Sequence, residues 1–172
     1  MAIVLAVSLS RGGGTDASAA VAPKLTAAGC TFKTYPSQGQ GHVQSTDAKV
    51  KYNSFPPTSG SHYFRPLVWN RYTQPLPPVA EVHNLEHGGV IIQYGDKVPS
   101  ATVKQLTSFY DSSSNGMLLA PLPKLGQKIA LTAWTHLATC THYNRTAFAA
   151  FRDGFRAKGP ERFPLSALEP GS

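Results

Sequence analysis

Only two cysteines, Cys30 and Cys140, occur in 172 residues. They show neither the C-x-x-C spacing of redox motifs nor the paired spacing of zinc knuckles. Two methionines add little soft sulfur, which argues against a dedicated copper(I) carrier. Nine acidic residues are few for calcium or magnesium, which need several carboxylates. No G-x-x-x-x-G-K-S/T loop and no G-x-S-x-G elbow occurs, which removes the P-loop nucleotide enzymes and the common serine hydrolases. Glu81 and Glu86, five apart, stand without a recognisable sugar platform and do not make a glycosidase pair. Nor is there a long apolar run. Residues 2–9 are apolar but stop short of the ~20 needed to cross a bilayer, and they lack the basic lead of a signal peptide.

What remains is a globular composition, 41% hydrophobic with eight Phe, seven Tyr and two Trp. A chain of this length fits one domain. Residues 1–11 read as the outer end of a truncated membrane anchor, and residues 12–29, rich in Gly, Ala and Ser, as a flexible linker. Residues 30–165 then form one globular domain, and 166–172 a tail. The expected location is extracytoplasmic, tethered to the membrane through the N-terminal anchor. In that compartment two lone cysteines favour a Cys30–Cys140 disulfide; the competing reading makes Cys140, two residues before His142, a ligand or nucleophile. The net charge of +7 is scattered apart from Arg145, Arg152, Arg156, Lys158 and Arg162, so nucleic acid is not the expected partner. A protein partner is not identified by the sequence.

The chain is expected to be α+β: one small mixed sheet with two helices packed on it and a long Pro-rich loop. Residues 42–52 resemble two short strands joined by a turn. The segment 53–82, with Pro56-Pro57, Pro66, Pro75 and Pro77-Pro78, reads as irregular. Val90–Tyr94 is expected as a central buried strand, 101–112 as a helix capped by Ser100, 117–120 as a strand and 128–134 as another. A final amphipathic helix over 144–158 carries Phe148, Phe151 and Phe155 on one face and stops at Gly159-Pro160. The second half is thus β-α-β-β-α, with residues 135–140 able to continue the sheet.

Chemistry concentrates in histidine. His83-Asn84-Leu85-Glu86-His87 places two imidazoles four apart, on one face of a helical turn and close enough to share an ion. The run also matches a zinc-peptidase signature in which the Glu is the general base. Gly88-Gly89 and the strand after it allow the motif about one turn, which weakens that analogy. His62 and His42 lie beside turn residues or strand ends that can converge on the pair. Neutral imidazole suits zinc and copper(II). The blander reading gives each histidine a hydrogen-bonding place in a packed loop.

Pro56-Pro57-Thr58-Ser59-Gly60-Ser61-His62 and Val82-His83-Asn84-Leu85-Glu86-His87-Gly88-Gly89-Val90 resemble the bacterial family known as domain of unknown function 3105. Gly41-His42-Val43, Ala130–Trp134 and Gly159-Pro160-Glu161 support the match, which runs from about Cys30 to Glu161. Ser61 departs from the family pattern, which has Pro before the histidine, and leaves His62 in place. The resemblance implies an exported domain behind an N-terminal membrane anchor and supplies no activity. The first functional expectation is therefore a zinc or copper ion on His42, His62, His83 and His87. The others are a non-catalytic envelope interaction domain with structural histidines, and a metal-dependent hydrolase with Glu86 as base. Whether any reaction is catalysed stays open.

Overall fold

The computed structural model describes residues 14–172; the expected anchor over 1–11 lies outside them. Five strands form one mixed sheet: β1 (Thr31–Thr34), β4 (Val90–Tyr94), β5 (Met117–Pro121), β6 (Ile129–Ala133) and β7 (His136–Cys140), in the order β1-β7-β6-β4-β5. β4 and β5 run parallel, bridged by α3 (Ser100–Asp111), and every other neighbouring pair is antiparallel. β6 takes the middle place and β4 stands beside it. All five residues of β6 are buried, as is expected for a strand covered on both faces. Among the described residues, no helix is long and apolar enough to cross a membrane.

Alternation along the strands divides the core. Val90 and Ile92 face a large cluster with Leu106 and Phe109 of α3 and with Phe148, Phe151 and Phe155 of α4 (Arg145–Phe155). Asn144 caps α4, its Oδ1 accepting from the Ala147 amide at 3.0 Å. Ile91 and Leu118 face the other way, onto Trp69 of the Pro-rich loop and Leu85 of α2 (Pro78–Glu86). The α+β architecture and the phenylalanine face of α4 agree with the sequence pattern. Cys30 and Cys140 form a disulfide, one step beyond the pairing of Thr31 with Thr139.

Three segments depart from the sequence reading. Gly14–Ala27 is not a loose linker but α1, a helix packed on α4 and β1. Its alanines favour helix, and Val21 and Leu25, four apart, bury one face in the main core. The two helices touch closely: a Cβ at Gly154 of α4 would lie 2.5 Å from Val21 Cγ2. Among the described residues the sheet therefore carries three helices on one face and α2 on the other, rather than two helices in all. Second, the expected tail over 166–172 is docked, with Leu168 buried and the Trp69 amide donating to the Ser172 carbonyl at 3.0 Å. Third, the expected hairpin over 42–52 is absent. β2 (His42–Val43) pairs instead, in parallel, with β3 (His62–Tyr63) inside the Pro-rich segment. Pro77-Pro78 opens α2 rather than barring a helix, because proline at the first helical position sacrifices no hydrogen bond.

Candidate metal centre

α2 ends at Glu86, with His87 as its C-cap, so both histidines of the 83–87 run project from the last turn of a two-turn helix. β3 packs against this helix, and its pairing with β2 sets His42 directly opposite His62. The three short elements thereby bring the imidazoles together. Ring centroids stand 4.8 Å apart for His42 and His62, 4.9 Å for His62 and His83, and 5.4 Å for His42 and His83. One ligand atom from each of His42, His62, His83 and Glu86 lies within 4.8 Å of all the others. Tetrahedral ligands at about 2.0–2.1 Å from zinc would stand roughly 3.3–3.5 Å apart, so small side-chain rotations close the set. His62, His83 and Glu86 are buried, and His42 is exposed.

Hydrogen bonds orient two of the rings. His62 Nδ1 faces the Gly60 carbonyl at 2.8 Å, and His83 Nδ1 faces the Tyr63 carbonyl at 2.7 Å. A carbonyl only accepts, so each Nδ1 carries the proton and each neutral ring offers its Nε2 lone pair. Such carbonyl partners are the usual supports of metal-binding histidines. Glu86 is 2% exposed, and its Oε1 accepts from Gln40 Nε2 at 2.8 Å. Its Oε2 lies 2.9 Å from His62 Nε2, yet neither buried atom makes a properly directed hydrogen bond. Two acceptors held this close in a dry site repel unless a cation lies between them.

Burial holds His83 below the ordinary imidazole range, offset in part by the Tyr63 carbonyl, and burial followed by the nearby His83 does the same to His87. Both shifts favour the neutral, ligating form. His87 does not join the set of four. It falls in a neighbouring group with Glu86 and Glu161, whose ligand atoms also lie within 4.8 Å of one another. His83 Nε2 and His87 Nε2 are 3.1 Å apart, and Glu161 Oε2 is 3.0 Å from His87 Nε2.

Sequence reasoning gave Glu86 the part of a base, whereas its carboxylate stands among the atoms that could hold an ion. Gln40 and Glu161 were missed as site residues. Gln40 sits in Gly39-Gln40-Gly41, which on its own signals only a turn. Glu161 follows Gly159, where a Cβ would come within 2.1 Å of the Glu86 carbonyl. The sequence-level hint was the Gly159-Pro160-Glu161 motif, and the close approach at Gly159 is what lets that segment lie on the helix end. No curated protein and no solved structure matches the chain. The family described as "Protein of unknown function (DUF3105)" matches residues 42–165, a span that contains every residue of both clusters, and the chain belongs to that family.

Proposed function

We propose that this protein is an extracytoplasmic domain that binds a divalent transition metal, zinc or copper, on His42, His62, His83 and Glu86, and that an N-terminal anchor tethers it to the membrane. The observation that carries the metal reading is the pair His62 Nε2 and Glu86 Oε2, buried and 2.9 Å apart without a hydrogen bond between them. Histidine nitrogen with one carboxylate oxygen suits zinc and copper(II). The Cys30–Cys140 disulfide fits an oxidising compartment. A hydrolase with Glu86 as base is less well supported, because Gln40 already donates to one oxygen of that carboxylate and the other is a ligand in this reading.

Elemental analysis of protein purified without a histidine tag tests this directly. At least one zinc or copper ion per chain is expected, lost in the His62→Ala and His83→Ala double variant. Metal-free protein that fails to take up either ion on dialysis would leave the envelope interaction domain, with structural histidines, as the better reading.

A further inference from the structure

We propose that Glu86, His87 and Glu161 form a second cation subsite beside the first, so that the chain holds a two-ion centre sharing the Glu86 carboxylate. This rests on the metal reading of the inner site. The three residues bring one ligand atom each within 4.8 Å of the others. Glu161 is not a stray surface acid: its amide donates to the Glu86 carbonyl at 3.1 Å, and the Ala157 amide donates to the Gly88 carbonyl at 2.7 Å. Residues 157–161 are thus strapped across the end of α2, which fixes Glu161 beside His87. Glu86 Oε2, the oxygen beside His62, is a buried carboxylate atom without a hydrogen bond. A carboxylate has about four lone-pair directions, enough to serve an ion on each side.

The chemistry of His87 points the same way. His83 Nδ1 is committed to the Tyr63 carbonyl, so His83 Nε2 faces His87 Nε2 with a lone pair, while Glu161 Oε2 faces it from the other side. The single Nε2 proton of a neutral His87 cannot satisfy both. When the inner ion takes the His83 lone pair, His87 is left with Glu161 and Glu86 as neighbours, a set of one nitrogen and two carboxylates. The two subsites differ in kind. The inner one has four protein ligands, as structural zinc sites do, and the outer one has three, as catalytic sites do, with the fourth position left to water. Glu161 is 44% exposed, so that position opens to solvent.

The test is zinc stoichiometry in the untagged, disulfide-bonded chain, by equilibrium dialysis against buffered zinc and elemental analysis. The wild type should retain two ions at high free zinc and one at low free zinc. Glu161→Gln, a substitution at an exposed side chain, should stop at one ion at every concentration with an unchanged far-UV spectrum. A wild type that saturates at one ion overturns the second subsite and leaves the inner site standing. Two ions retained by Glu161→Gln overturn it equally, because the second ion would then sit elsewhere. No ion at all would overturn both readings.

Discussion

The Nε2 atoms of His83 and His87 stand 3.1 Å apart across perpendicular rings, so only one proton fits between them. Protonating both would set two cations face to face. Burial already holds each below its ordinary value of 6.5. Unfolded chains therefore take up these protons at a higher pH than the native protein does, and stability falls as pH drops below that value. Melting of the metal-free protein should show a steeper acid loss in the wild type than in His83→Gln with His87→Gln. A bound ion, which needs neutral imidazole, should be retained to a lower pH than at an unperturbed histidine site. A midpoint of release above pH 6.5 would contradict this.

Gln40 touches the centre only through Glu86 Oε1. Gln40→Ala should weaken metal binding by about 10–100-fold, the usual cost of removing a partner that orients a ligand. The side chain is exposed, so the melting temperature of the metal-free protein should barely move. Competition against a chelator of known affinity measures the first effect, and a thermal scan the second.

Glu81, on α2 behind the histidines, accepts from Gln93 Nε2 at 2.7 Å and is 2% exposed. Burial pushes its carboxyl from 4.5 up to about 8. A raised native value means that its contribution is complete below the unfolded value and is lost as pH rises through the native one. Glu81→Gln keeps an acceptor for Gln93 and removes the titration. Its melting temperature should gain on the wild type between about pH 5 and pH 8, each 1 kcal/mol showing as about 2–4 °C in a chain of this size. Parallel pH profiles for the two proteins would refute the assignment.

Gly154→Ala should destabilise the domain although alanine is the better helix former. The new methyl group would meet Val21 Cγ2 at 2.5 Å, an overpacking worth about 1–3 kcal/mol. Adding Val21→Ala should recover part of the loss in a double-mutant cycle by denaturant titration. Simple additivity would mean that α1 does not press on α4 in solution.

The legible parts of the sequence were those where one element declares itself. Apolar runs announced β4, β5 and β6, and three phenylalanines announced α4. α1 was hidden because Val21 and Leu25 are the only large buried side chains described in an otherwise small-residue stretch. Parallel pairing of β2 with β3 involves two residues from each strand, too few to leave a pattern. His83 and His87 could be named from their spacing, and His42 and His62 from the turns beside them, but the separation of His87 from the other three could not. It depends on where residues 157–161 cross α2. Gln40 and Glu161 reach the centre only through tertiary contact; Gly159-Pro160-Glu161 stands out as a motif, but nothing local ties it to the histidines.

The cross-link between Cys30 and Cys140 also sets the path of mechanical load. A pull applied across the cross-link passes through the sulfur–sulfur bond, bypassing the 110-residue separation that it closes. His42, His62, His83, Glu86 and His87 all lie inside that shielded loop. Glu161 alone lies beyond it. Such a load bypasses the stretch that carries the first five and reaches Glu161 through the docked tail, whose Ser172 carbonyl accepts from the Trp69 amide.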